Sequence, residues 1–247
     1  MSKHIRVITP ITSDLRAASD FDGFQSPSLT VTTTRLETGP ASIECEFEEA
    51  LAVPGVVARA IEAQNDGANA VVIDCMGDPG LNAAREVVAI PVLGPCQTAL
   101  HLAAISGHKF GVVTVLERLE PLFDDMVATY GLTSKYAGLR AVDIPVLELE
   151  QDMERCTCAL IEQAICSVIE DRAHVVVLGC TGMLGCAEAV RAGLLDAGFD
   201  VPVIDPVPAT IWTAAAFIDM GLSHSKHSYQ PPPEKPIAGY EFPVLDA

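Results

Sequence analysis

Two cysteines hold equivalent places in a duplicated pattern. Cys75 closes the apolar start of residues 68–95, ANAVVIDCMGDPGLNAAREVVAIPVLGP, and Cys180 does the same in residues 173–206, AHVVVLGCTGMLGCAEAVRAGLLDAGFDVPVIDP. Superposing the cysteines also superposes Gly77 on Gly182 and, past a longer helical stretch in the second copy, Pro91-Val92 on Pro202-Val203. Two thiols at matched strand ends suit proton transfer at carbon. One thiolate removes a carbon-bound proton from a planar carbanion centre, and the other thiol returns a proton to the opposite face. The roles exchange with the hand of the substrate, and no cofactor is required. A helix N-terminus after each cysteine would favour the thiolate. Gly77 and Gly182 would admit close backbone approach and offer N–H groups to an oxyanion or imide oxygen.

The remaining thiols carry no such pattern. Cys45, Cys96, Cys156, Cys158, Cys166 and Cys186 form no CxxC pair and no zinc-type spacing with histidine, so each reads as a small core hydrophobe. His101, His108 and His174 fall on separate elements, and His224 and His227 sit in a polar tail, which leaves no metal site in the sequence. Asp78 is placed as a helix cap, and Asp74 as the end of a strand whose carboxylate would raise the Cys75 thiol if it pointed inward. Glu44, Glu46, Glu48 and Glu49 read as one polar helix face, with Glu44 close enough to residue 43 to orient it. Gly77-Asp78-Pro79-Gly80 lacks the GxGxxG order of a dinucleotide site. None of the five lysines falls at a strand end, which argues against a pyridoxal Schiff base.

The elements that must hold the two thiols are strands alternating with helices. Strands are expected over 5–11, 29–36, 68–76, 90–93, 110–115 and 136–142, with a further one before Cys180. Helices are expected over 41–52, 54–65 with a break at Pro54, 79–88, 97–106, 119–130, 150–171 and 208–220. Segment 68–76 is apolar at both alternating positions, as a parallel strand covered on both faces would be. The alternation selects an α/β fold with parallel sheets, and the duplication suggests two pseudo-symmetric Rossmann-like lobes with the active site in the cleft between them. Residues 1–97 with 208–222 would form one lobe and 98–207 the other, leaving 223–247 as a proline-rich tail.

With 247 residues and 49% hydrophobic composition, the chain can build a sizeable core. A net charge of −18 leaves no basic footprint for nucleic acid or an anionic membrane, and no apolar stretch reaches the roughly 20 residues of a membrane span. The expectation is a cytoplasmic protein acting on a small molecule.

Three stretches resemble the aspartate/glutamate/hydantoin racemase superfamily, and within it the hydantoin and allantoin racemase branch: GPASIECEFEEALAVPG at 39–55, CMGDPGL at 75–81 and LGCTGM at 178–183. The glycine at 182, where glutamate racemases usually carry histidine, and the first two motifs favour that branch. The resemblance implies Cys75 and Cys180 as the acid/base pair of a cofactor-independent racemase. It also implies ligand contacts from Met76, Gly77, Thr181, Gly182, Thr114, Ile43 and the first loop, Thr9, Pro10 and Thr12, and a homo-oligomer. This branch commonly ends its first strand in Asn-Pro-Asn-Thr, whereas here the chain reads Thr9-Pro10-Ile11-Thr12, so two amides that could bind a ring carbonyl or carboxylate are absent. Alternatives on the same fold are an aspartate- or glutamate-type amino-acid racemase and a maleate-type isomerase or decarboxylase. A two-lobed binding protein with structural thiols is the non-enzyme alternative.

Overall fold

A computed structural model describes residues 2–244. The chain divides into two compact units, one combining residues 2–42, 47–94 and 210–244, the other residues 43–46 and 95–209.

The first unit is built on β1 (Lys3–Thr9), β2 (Leu29–Arg35), β3 (Ala70–Ile73) and β4 (Val92–Leu93), all parallel and ordered β2-β1-β3-β4. The second repeats that order with β5 (Phe110–Thr114), β6 (Tyr136–Ala141), β7 (Val175–Leu178) and β8 (Val203–Ile204), as β6-β5-β7-β8. The duplication extends to register. Val71 pairs with Val92 and Val176 with Val203, so each Pro-Val dipeptide starts the edge strand beside the strand that leads to its cysteine. All four residues of β3 and of β7 are buried, the pattern of central parallel strands covered on both faces.

The covering helices are α1 (Glu46–Asn65), α2 (Leu81–Val87), α3 (Pro95–Ser106), α4 (Glu120–Thr129), α5 (Met153–Ile169), α6 (Ala187–Asp196) and α7 (Pro206–Asp219). The break expected at Pro54 is absent, and α1 runs through it as one helix. Proline there removes one backbone hydrogen bond at a cost of about 3 kcal/mol. Burial of Ala52, Val56, Ala60, Ile61 and Ala63 along one stripe offsets that loss. The bare Cα of Gly55 fits against Leu36, whose Cδ atoms would lie 2.9 Å from an added Cβ. Among the described residues no helix is long and apolar enough to cross a membrane.

The start of the tail is tied to the first unit. Lys226 Nζ donates to the carbonyls of Arg85, Glu86 and Val88 at 2.6, 3.1 and 2.5 Å, closing the C-terminal end of α2 with a cation. Arg85 in turn donates to the Val92 carbonyl and the Tyr229 hydroxyl, and its guanidinium lies over the Tyr229 ring. His224 Nε2 lies 2.9 Å from the Val92 amide nitrogen, which donates to it. Residues 223–229 therefore strap α2 to β4; the last three residues of the tail, 245–247, lie outside the described residues.

Burial, followed by the Arg85 charge, lowers the His224 pKa from 6.5 to about 4. The unfolded chain then binds this proton more readily than the folded one. The stability that neutral His224 supports is complete above about pH 6.5 and is lost as pH falls toward about 4. Thermal unfolding between pH 7 and pH 4.5 should show a smaller drop in Tm for His224→Gln than for the parent chain. Equal drops would mean that His224 does not carry this linkage.

Candidate active site

The two cysteines sit at matched points beyond the carboxyl ends of matched strands, where ligands of open parallel sheets bind. Cys75 follows the last residue of β3 by two positions, and Cys180 follows the last residue of β7 by two. Both side chains are partly exposed, whereas Cys96, Cys156 and Cys186 are buried. Burial, with Cys186 nearby, pushes the Cys156 thiol up to about 11, and burial also raises Cys186. Cys156 and Cys186 are thus protonated core thiols, whereas Cys158, expected in the core, is exposed on α5, and Cys45 and Cys166 are partly exposed.

The expected helix N-terminus behind each thiol is not where the sequence placed it. The chain makes two tight turns after Cys75, with the Asp78 amide donating to the Cys75 carbonyl and the Leu81 amide to the Asp78 carbonyl, so α2 begins only at Leu81. After Cys180 a three-residue 3-10 turn, Thr181–Met183, intervenes, and α6 begins at Ala187. A local donor replaces the helix end. The Gly77 N–H donates to Cys75 Sγ at 3.5 Å, and the Gly182 N–H donates to Cys180 Sγ at 3.3 Å. The glycine amides expected to meet a ligand oxygen thus turn toward the thiols, where they favour the anionic sulfur.

Asp78 does not cap α2. Gly80, at φ +72°, holds the N-cap position without a side-chain bond, and Asp78 itself adopts the left-handed region at φ +49°. Its buried carboxyl packs on Gly94, where an added Cβ would lie 2.3 Å from the carboxyl carbon.

Asp74 points inward, as one reading allowed, but it meets a cation there. Arg16 grips the carboxylate with Nε at 2.8 Å and Nη2 at 3.4 Å, and the Thr9 hydroxyl reaches the same group at 3.5 Å. Arg16 is absent from the residues that the sequence nominated. Only the pairing of β1 with β3, which sets Ile8 beside Ile73, brings its loop to Asp74.

Glu49 was also misplaced, as part of a solvated face. Its carboxyl lies against Gly77, so close that a Cβ on Gly77 would fall 1.5 Å from Oε1. A signal existed, because Glu49 extends the buried stripe of Ala52, Val56, Ala60 and Ala63 at helical spacing.

The nominated binding residues fall into four groups. Met76 is buried and Gly77 partly exposed beside Cys75, and in the other unit Thr181 is buried and Gly182 partly exposed beside Cys180. Thr9 is buried against Asp74, Pro10 is buried, and Thr12 donates through both its amide and its hydroxyl to the Pro40 carbonyl. Thr114 is fully buried and its hydroxyl donates to the Gly179 carbonyl at 3.0 Å, so it fixes the residue before Cys180. Ile43 groups with the second unit, where its neighbour Glu44 accepts from the Val146 amide at 2.7 Å. No cluster of three or more metal-ligating side chains occurs among the described residues.

Residues 11–214 match the model of a protein family described as Asp/Glu/Hydantoin racemase. The chain belongs to that family. This racemase-family chain is 39% identical over 203 residues to a hydantoin racemase of Rhizobium meliloti, with 82% of each sequence covered. It is 34% identical to a hydantoin racemase of Paenarthrobacter aurescens, over 94% of the chain and 98% of the relative. A solved allantoin racemase from Klebsiella pneumoniae superposes with a TM-score of 0.90 at 33% identity, covering 96% of this chain and 97% of that one. These relatives lie in the branch to which the three motifs pointed. Membership of a racemase family makes the protein an isomerase, and the non-enzyme alternative falls away.

Proposed function

We propose that this chain racemises a 5-substituted hydantoin or an allantoin-like ring without a cofactor, using Cys75 and Cys180 as a two-base pair. The observation that carries the reading is the repeated atomic arrangement: in each unit a cysteine two residues past a buried central strand accepts the N–H of the glycine two positions on. A thiol beside such a donor is biased toward thiolate, which is the form a carbon base needs. One thiolate takes the ring proton alpha to the carbonyl, charge spreads onto that carbonyl oxygen, and the opposing thiol protonates the other face. After one turnover the two sulfurs have exchanged protonation states, ready for the enantiomer. Similarity to hydantoin and allantoin racemases supports the ring class. The reading includes a small-molecule substrate and a cytoplasmic homo-oligomer.

Single enantiomers of several 5-substituted hydantoins, allantoin, aspartate and glutamate, with maleate alongside, test it in deuterated water. Optical rotation should decay for a ring compound while the stereocentre gains deuterium. Racemisation confined to aspartate or glutamate would replace the ring assignment with the amino-acid alternative.

A further inference from the structure

We propose that Arg16 is a positioning residue that sets the ionisation of Cys75 by neutralising Asp74, an inference that rests on Cys75 acting as an acid/base group. Asp74 is the residue next to Cys75, about 3.8 Å away between Cα atoms, and its side chain is 1% exposed. A buried carboxylate on the residue adjoining Cys75 disfavours a second negative charge beside it and so would hold the thiol protonated. Arg16, itself 8% exposed, removes that obstacle with a two-pronged grip on both carboxylate oxygens, a geometry that a guanidinium supplies and an ammonium does not. The grip is itself held. The Arg16 guanidinium lies 6.0 Å from the centre of the buried Phe21 ring, and Nη1 is 3.6 Å from Asp20.

The charges around this loop show why such a device is needed. From α1, Glu49 abuts Gly77; within the loop, Asp78 packs on Gly94; and Asp74 closes β3. A Cys75 thiolate adds a further negative charge to three carboxyl groups, and Arg16 cancels the one adjacent in sequence. The same contact ties the segment after β1 to the residue before Cys75, so loop order and thiol ionisation are set by one side chain.

Alkylation by iodoacetamide between pH 5 and 10, with Cys75 and Cys156 followed separately by peptide mass spectrometry, tests this without substrate. Arg16→Met should raise the pH at which Cys75 becomes reactive by about one unit, roughly a tenfold slower reaction at pH 7. Arg16→Lys, which keeps the charge but not the two-pronged grip, should shift the profile in the same direction by less than Arg16→Met, and adding Asp74→Asn to Arg16→Met should restore the parent profile. An unchanged Cys75 profile in Arg16→Met, with buried Cys156 still protected, overturns the proposal. If Arg16→Met exposes Cys156 and so reports unfolding, Asp74→Asn alone decides: its profile should move to lower pH, and one that stays or rises overturns the proposal. Because no turnover is measured, an Arg16-dependent thiol in a chain that racemises none of the rings would count against the proposed substrate and leave this inference standing.

Discussion

Cys75→Ser and Cys180→Ser should each lower the racemisation rate by about 10²–10⁴-fold or more, the range that a positioned acid or base contributes. A serine hydroxyl has nearly the volume of the thiol but does not ionise near neutral pH, so each substitution removes the proton transfer and little else. Both cysteines are partly exposed, which limits any loss of packing. The single variants should differ in what they retain. With one thiol left, proton abstraction can still begin from the enantiomer presented to that thiol, and solvent deuterium can return on the same face without inversion. Polarimetry and proton NMR on each enantiomer separate the two processes. Racemisation at the parent rate in either serine variant would sink the two-base mechanism.

Gly77→Ala should be the most damaging small substitution in the first unit. Its new methyl would meet Glu49 Oε1 at 1.5 Å and Cδ at 2.6 Å, too close for any relaxation confined to the glycine. Overpacking of this kind costs about 1–3 kcal/mol, and in a chain of this length each kcal/mol lowers Tm by about 2–4 °C. Because the Gly77 amide also donates to Cys75 Sγ, racemisation should fall with stability. Gly182→Ala is the control at the matched position. There the methyl would meet the Leu149 Cδ1 atom at 2.9 Å, an overlap far shallower than that with Glu49 and relieved by a smaller shift, so the loss should be smaller. Glu49→Ala introduced with Gly77→Ala should recover most of the Tm, and failure to do so would show that the contact with Glu49 is not the cause.

The contrast between these two glycines also shows how far a local pattern reaches. Sequence comparison alone aligns Gly77 with Gly182 and gives them one role. In the folded chain each N–H does serve its own cysteine, yet the neighbours that require a bare Cα are a carboxylate in one unit and a leucine in the other. The repeat records the shared backbone path and is silent on what packs against it.

What the sequence by itself determined was whatever short-range periodicity and duplication encode. Strands apolar at every position imply central parallel strands, and β3 and β7 are those strands. The duplication of Cys75 as Cys180 implies two units on one plan, and the units share the strand order and the equivalent pairings of Val71 with Val92 and Val176 with Val203, which only the structure supplies. Helix starts were less legible. Asp78 and Pro79 look like a cap and a first turn, but the tight turns after Cys75 delay α2 to Leu81.

Only the tertiary structure decided which charges meet. Arg16 and Asp74 are 58 residues apart, and the Lys226 ammonium is 141 residues from Arg85, whose backbone carbonyl accepts from it; no periodicity links either pair. Each contact follows from a strand pairing or a returning tail, and the benefit of desolvating one partner exists only when the other is already in place. A charged side chain therefore reads as a solvated surface group until the fold supplies its counterpart, and in this protein that counterpart for Asp74 sits beside the thiol on which the proposed chemistry depends.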